Sequence, residues 1–504
     1  MTPLDALYHQ VADNPHGLAF VDGDSRWSYA RLAEQARRVA RGMLDHGIRK
    51  GDRIVLHMPN RPELAVALYA CFHIAAIAVP MNIRLKSAEL APLLERLRPA
   101  LYIGHTSLAD VTRTIDTSIL PLDRCIIAGT AGQGWYEHSW EKLPGEADPV
   151  LPAPDVHSHA LLLCTSGTTG ISKFVVYTAA NLGPVMDLVG NWGIRENRRV
   201  LLVLPMVHAS GLSVFMSCIR FGVGMVMLER FDPDGVLDAI EKHRCDWLGG
   251  LPFTYDALLK SQAARPRNVD SLRFCASGAD ACPPQIQTTF PRVFGVPLVN
   301  IWGATEALGS LTYGLEPGPV SRVAEGAEAR LADDAGTPVP PGEIGELLVR
   351  GPNVTIGYWA GPDATEKALE DGWWRSGDLM RQDEKGNLWF VSRKKDVIVR
   401  GGSNISPVEV ERVLSAHPAV IDAVVVGMPD EVLGQRVAGF VQLKDGTAPT
   451  VVTDILNAAK SQLADYKAPE HLEPIAAIPR NALGKADRKA LAAMLAQRRS
   501  GVAA

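Results

Sequence analysis

The sequence predicts an α/β protein with a large N-terminal unit and a small C-terminal one. Three observations point there. Over the first four-fifths of the chain, helical patterns alternate with short apolar runs, as in parallel sheets covered by helices. The 504 residues exceed what one hydrophobic core usually supports. Around 345–400 the runs become closely spaced strands, and beyond them a separate small α/β pattern begins. The boundary is placed at the basic stretch Arg393-Lys394-Lys395-Asp396, dividing the chain into 1–394 and 395–504.

The elements follow in order. Ser28 is set to start a helix whose apolar face includes Leu32, Val39, Ala40 and Met43, ending near Gly47. Arg53–His57 reads as a strand, Pro62 onward as a helix and Ile77–Val79 as a strand. Further short apolar runs recur at 200–204, 223–228, 246–249, 272–276 and 297–301, which argues for parallel layers. Strands are expected at Glu346–Arg350, Asn387–Val391 and Val397–Arg400. Ser406-Pro407-Val408-Glu409 has the form of a capping box with proline at the first helical position, opening a helix to about Ser415. Strands at Ile421–Val426 and Val437–Gln442 and a helix near 451–464 complete the small unit. No internal repeat or low-complexity segment stands out.

Composition narrows the function classes. A net charge of −5 and a pI near 6.2 give no electrostatic case for nucleic acid or an anionic membrane. Seven scattered cysteines without a C-x-x-C pair read as reduced residues of a cytoplasmic protein, not as disulfides or metal ligands. The N-terminus has no basic segment followed by an apolar one, so no signal peptide is expected. The longest apolar run, Leu64 to Val79, contains His73 and stops at Pro80; a buried helix running into a strand explains it better than a membrane span. A homodimer is compatible with this composition, which argues neither for nor against one.

The most informative stretch is Thr165-Ser166-Gly167-Thr168-Thr169-Gly170-Ile171-Ser172-Lys173. Glycines let backbone N–H groups point at phosphate oxygens, while hydroxyls and an ammonium add charge-assisted bonds. The spacing is not that of a Walker A loop, because only Thr168 and Thr169 separate the glycines. A polar surface turn has a similar composition. Here, however, the apolar run Ala160–Cys164 feeds straight into the loop, and the end of a buried strand is where open α/β sheets place ligands.

Five more segments accompany it in order: PMVHASGL (205–212), NIWGATE (300–306), GWWRSGDL (372–379), VSRKKDVIVRGGSNISPVEVE (391–411) and PRNALGK (479–485). Together they resemble the adenylate-forming superfamily of acyl-CoA synthetases, luciferases and adenylation domains, over nearly the whole chain. MNIRLKSAEL (81–90) and NIWGATEALGSL (300–311) look most like bacterial benzoate and halobenzoate CoA ligases. The resemblance implies a large N-terminal domain of layered α/β subdomains plus a β-barrel-like subdomain, followed by a small mobile α+β domain. It implies two half-reactions. A carboxylate attacks the α-phosphate of ATP, releasing pyrophosphate, and coenzyme A thiolate then displaces AMP from the acyl-adenylate. Mg²⁺ and lysine are the expected means of neutralising charge in the first step.

Residue by residue, the resemblance gives Thr165, Ser166, Gly167, Thr168, Thr169, Gly170 and Lys173 the β- and γ-phosphates. Glu306 falls at the Mg²⁺ ligand and Thr305 at a hydroxyl that meets the α-phosphate. Asp378 matches the carboxylate that accepts both ribose hydroxyls, and Arg393 a further ribose contact. Ser277, Gly278 and Ala279 (with Asp280), and Asn300, Ile301, Trp302 and Gly303, match the segments around adenine, Trp302 stacking where tyrosine is common. Lys485 matches the lysine that bridges carboxylate and α-phosphate, Lys395 the hinge of the small domain, and Gly401 and Gly402 a loop lining the pantetheine tunnel. Departures from the usual pattern are Ser172 for proline, Phe174 for glycine, Ala179 for histidine and Ser392 for glycine; none removes a charged catalytic group.

The same resemblance lines the acyl pocket with Leu188, His208, Ala209, Ser210, Gly211, Ile301, Gly303, Leu308 and Gly309, with His208 a gate near the carboxylate or a hydrogen-bonded structural histidine. No Arg or Lys stands among these positions, so a second carboxylate would be buried unpaired at a cost of several kcal/mol. An apolar aryl, alicyclic or medium-chain monocarboxylate is the expected substrate. Two other readings remain open at this stage. One is a stand-alone enzyme that loads a carrier protein's phosphopantetheine; the other is a non-catalytic nucleotide-binding relative.

Overall fold

The computed structural model describes residues 1–129, 138–146, 150–165, 172–279, 282–314, 316–318, 320–400, 403–430, 432–481 and 484–501. Two seven-stranded sheets build most of the large unit. The first holds parallel strands Arg53–His57, Ile77–Pro80, Leu101–His105, Cys125–Ala128 and His138–Ser139. The second holds parallel strands Arg199–Leu202, Gly224–Met227, Trp247–Gly250, Phe274–Gly278 and Leu298–Ile301. Each sheet runs in the spatial order fifth, fourth, third, first, second, with an antiparallel hairpin added beside the second strand. That hairpin is His159–Thr165 with Lys173–Thr178 in one sheet and Leu18–Asp22 with Ser25–Ser28 in the other. The chain therefore repeats one topology twice, although the sequence shows no repeat.

The helices follow from their caps and apolar faces. Tyr29–Asp45 starts where Ser28 accepts a hydrogen bond from the Arg31 N–H, and it buries Leu32, Val39, Ala40 and Met43 as expected. Pro62–His73 is buried at every position from Leu64 to His73, which explains the long apolar run. It lies in a core shared by both sheets, with Tyr69, Phe20 and Phe215 among its aromatic members. Among the described residues no helix is long and apolar enough to cross a membrane.

Residues 311–393 form a seven-stranded antiparallel sheet, the unit expected from the closely spaced strands. Its longest strand is Trp373–Gln382, whose glycine, serine and charged residues break the apolar alternation that marks a strand in sequence. The C-terminal unit is a five-stranded sheet of Ile398–Arg400, Ser403–Ile405, Val420–Asp430, Gly434–Leu443 and His471–Ile475, covered by helices Pro407–Ser415, Val451–Gln462 and Arg488–Gly501. It has its own core of Ile405, Val410, Leu414, Val425, Val441 and Ile455. Only half of the expected capping box at Ser406 forms. Ser406 accepts from the Glu409 N–H, while the Glu409 carboxylate takes Lys467 Nζ at 2.8 and 2.9 Å. A full ammonium outcompetes a single backbone N–H for that carboxylate.

Candidate active site

Thr165 and Lys173 face each other across an antiparallel ladder, so the strands that flank the glycine-rich stretch, His159–Thr165 and Lys173–Thr178, are the two arms of a hairpin. Ser166, Gly167, Thr168, Thr169 and Gly170 lie outside the described residues. Thr165 Oγ1 donates to the Lys173 carbonyl at 3.4 Å, and Lys173 Nζ stands 4.6 Å from the centroid of the Tyr358 ring. Phe174, the residue in place of the usual glycine, is fully buried, with the Arg96 guanidinium 5.5 Å from its centroid. Arg96 Nη1 also donates to the Ser172 carbonyl at 2.8 Å. The departure from the pattern thus comes with its own anchor at the C-terminal foot of the hairpin.

Two carboxylates stand nearby. Glu306 follows the strand Leu298–Ile301, and its Oε1 accepts from Tyr358 Oη at 3.0 Å. Burial raises its pKa, and the Tyr358 hydrogen bond, Arg393 and Lys173 oppose the rise. Tyr177 Oη fixes the preceding residue by donating to the Thr305 carbonyl at 2.8 Å. Asp378 is buried; it accepts from Trp302 Nε1 at 2.8 Å through Oδ2 and sits 2.8 Å from Arg393 Nε through Oδ1. Asp378 and Arg393 are direct partners across neighbouring strands, so the ladder itself sets their spacing. Burial raises the Asp378 pKa, with Arg393, Trp302 and Lys485 pulling against it.

Ser277 and Asn300 are partners across parallel strands of the second sheet, as are Gly278 and Ile301. Ser277 Oγ and Asn300 Oδ1 are buried without a hydrogen-bond partner. Such orphaned acceptors are costly unless something bound completes them. Ala279 follows with φ +67°, a left-handed backbone that a non-glycine residue adopts only under constraint.

A cavity of about 1040 Å³ joins these groups. Thr165, Lys173, Ser277, Glu306, Arg393 and Lys485 all line it, as do Gly278, Ala279, Thr305 and His208. Lys485 comes from the C-terminal unit, on a loop whose Gly484 (φ +82°) would place a Cβ 3.4 Å from Phe253 of the large unit. Arg480 Nη1 donates to the Gly484 carbonyl at 3.0 Å, and the Lys485 N–H donates to Asn481 Oδ1 at 3.2 Å. His208 is held neutral. Burial first, then the positive charges of Arg84 and Lys485, lower its pKa to about 4.

A family model for AMP-binding enzymes matches residues 7–359, and one for the C-terminal domain of such enzymes matches 409–485. The medium-chain fatty-acid–CoA ligase of Escherichia coli K12 is 34% identical over 493 residues, covering 94% of this chain and 86% of that protein. The chain belongs to the AMP-binding enzyme family. Among solved structures, an anthranilate CoA ligase in complex with anthranoyl-AMP superposes with a TM-score of 0.91 at 25% identity, covering 99% of this chain and 98% of the other. The o-succinylbenzoate CoA synthetase of Bacillus subtilis in complex with ATP and magnesium gives 0.82 at 28% identity, over 96% and 98%. The resemblance read from six motifs is therefore one of common family and fold.

Not every residue expected at the site of this AMP-binding enzyme lines the cavity. Asp378, Trp302 and Asn300 sit just behind its wall, joined to it through Arg393 and Ser277. Ala209, Ser210, Ile301, Gly303 and Leu308 do line it. Gly211 instead packs on the backbone of Pro205, whose carbonyl oxygen lies 2.3 Å from where a Cβ would stand. Gly309 (φ +80°) and Leu188 pack on each other, a Gly309 Cβ falling 2.7 Å from that of Leu188. Lys395 sits in the short turn Lys394–Asp396, where burial lowers its pKa. Gly401 and Gly402 lie outside the described residues. Sequence reading missed Tyr358, Trp192, Trp247 and Arg84, all on the lining. Arg84 brings a cation to a cavity whose expected acyl positions held none. Nothing local marks a lone aromatic or arginine as a site residue. Among the described residues no cluster of three or more His, Cys, Asp or Glu is arranged to hold a metal alone.

Proposed function

We propose that this protein is an ATP-dependent acyl-CoA ligase that activates an apolar aryl, alicyclic or medium-chain monocarboxylate. One observation carries the reading. A lysine of the small C-terminal unit, Lys485, opens into the same cavity as Lys173, Glu306 and Arg393 of the large one. That convergence supplies cations where an anionic carboxylate must approach a polyphosphate.

In the first half-reaction a carboxylate oxygen bonds to the α-phosphorus as the bond to the pyrophosphate oxygen breaks. Lys485 bridges the incoming carboxylate and the α-phosphate, and Lys173 holds the outer phosphates. Asp378 takes the ribose hydroxyls, with Trp302 and Arg393 fixing its carboxylate. Ser277 Oγ and Asn300 Oδ1 gain partners in the adenine amine. Glu306, half-buried with a tyrosine hydroxyl as its hydrogen-bond partner, suits a Mg²⁺ that keeps water and phosphate as its other ligands. Bound there, the ion would neutralise charge on the phosphates. In the second half-reaction the thiolate of coenzyme A attacks the acyl carbon and AMP leaves. The 395–504 domain turns about Lys395 between the two, withdrawing Lys485 and bringing Gly401-Gly402 to the thiol arm. Neutral His208 borders the carboxylate as an uncharged ring. The cysteines, none of them disulfide-bonded among the described residues, suit a reducing cytoplasm.

The test is carboxylate-dependent pyrophosphate release across a library of acids, with and without coenzyme A, and with a phosphopantetheinylated carrier as alternative acceptor. Acid-dependent release followed by acyl-CoA formation is expected for apolar monoacids. A clear preference for dicarboxylates, or transfer to the carrier alone, would overturn the reading.

A further inference from the structure

Two tryptophans that no motif singled out, Trp192 and Trp247, stand on the cavity lining. Trp247 and Trp192 are 1% and 5% exposed, so they seal the cavity rather than stand within it. Trp247 Nε1 donates to the Trp192 carbonyl at 2.7 Å, and Trp192 Nε1 donates to the Leu311 carbonyl at 3.0 Å. The Trp247 indole is thus tied to the backbone of Trp192, and the Trp192 indole to the antiparallel sheet. Trp247 also lies parallel to Phe274 on the neighbouring strand, centroids 6.3 Å apart.

Glycines make room for this wall. A Cβ on Gly249 would fall 2.5 Å from Trp247 Cη2, so the indole leans along its own strand toward the carboxyl end and covers the bare backbone there. A Cβ on Gly303 would sit 3.6 Å from Trp192 Cη2, which places the second indole against the segment leading to Thr305 and Glu306. Gly250 pairs in register with Ser277, at the cavity's polar end. The Trp247 backbone is three residues further back, about 10 Å along a strand, and its indole reaches forward to Gly249, so the space in front of the ring is shorter than that. Val203, Val207 and Leu308 add apolar side chains to the lining.

We infer that the Trp247–Trp192 wall is the length stop of the acyl pocket. It makes this enzyme selective for ring-sized or short apolar acids and rejects long straight chains. The inference rests on the proposed ligase reading. An indole held by a buried hydrogen bond and stacking cannot swing aside without leaving Trp247 Nε1 unpaired, so the stop is rigid.

The experiment measures kcat/KM for pyrophosphate release over a homologous series of straight-chain acids and over benzoate-like acids. Wild type is compared with Trp247→Ala, Trp247→Phe and Gly249→Ala. Trp247→Ala should extend the profile by a few carbons, raising the ratio of longer to shorter acids on the order of tenfold or more. Trp247→Phe, which keeps a ring and so protects against a folding artefact, should move the profile the same way by less. Gly249→Ala forces the indole to shift and should change the profile without touching ATP affinity. An unchanged length profile in the two Trp247 variants, with normal ATP binding, would overturn the stop. Failure of wild type to release pyrophosphate with any acid would instead overturn the ligase reading.

Discussion

Removing one hydroxyl, in Tyr358→Phe, isolates the electrostatics of Glu306. Tyr358 Oη donates to Glu306 Oε1 at 3.0 Å, and burial keeps the phenol protonated by pushing its pKa up. Burial also pushes the Glu306 carboxyl up, so the tyrosine bond is one of the few forces favouring its charged form. A hydrogen bond to a charged group is worth about 1.5–3 kcal/mol. At about 1.4 kcal/mol per factor of ten, its loss shifts the balance of carboxylate and carboxylic acid roughly ten- to hundredfold toward the acid. Tyr358 keeps some exposure, so the lower half of that range applies. Since adenylation needs the carboxylate, the acidic limb of the rate profile should move to higher pH. The rate at alkaline pH should remain near that of wild type. The phenylalanine ring still lies beneath Lys173, so the cation–π contact is conserved as an internal control. The assay is acid-dependent pyrophosphate release from pH 5 to 9. An unmoved limb, or an equal loss at every pH, would refute the role assigned to this bond.

Three further outcomes follow from the same geometry. Lys485→Ala should lose most adenylation yet form thioester from a supplied acyl-adenylate; equal loss in both half-reactions would contradict the bridging role. Lys395→Pro should spare pyrophosphate release and slow transfer to coenzyme A; single-turnover assays of each step would show this, and an unimpaired transfer would remove the hinge from Lys395. Acid should destabilise the fold through His57 and His73, both buried with pKa values lowered to about 4. Their unfolded forms bind protons from about pH 6.5 downward while the folded forms do not. Stability is therefore lost as pH falls from about 6.5 toward 4, by up to roughly 3 kcal/mol per histidine. Thermal melts of His73→Gln against wild type should show a shallower acid decline in the variant.

Much of the fold was legible because its signals are local. Arg53–His57, the apolar face of Tyr29–Asp45 and the five recurring runs from Arg199 to Ile301 follow from periodicity and caps alone. The N-terminal helix Pro3–Asp13 is also locally marked, by a complete Thr2/Asp5 capping box with proline at its first position. His471–Ile475 hides behind a proline and charged residues, and its pairing with Gly434–Leu443 depends on distant sequence. The doubled sheet topology was invisible because strand order is a property of long-range pairing, not of residue type. At the site, motif residues were readable. Their supports were not: Tyr358, Arg96 and the two tryptophans gain meaning only through what they touch. At Thr165–Lys173 the apolar run into a glycine-rich stretch was legible, whereas the pairing of Lys173–Thr178 back onto His159–Thr165 was not, because strand pairing leaves no local signal.

Lys485 and the Thr165–Lys173 hairpin of the large unit should meet on one bound nucleotide. A crystal structure with a non-hydrolysable acyl-adenylate would show ribose hydroxyls on Asp378, the phosphate within reach of Lys485 and the acyl tail ending at Trp247. An adenylate bound with Asp378 and Lys485 both remote from it would refute the assignment.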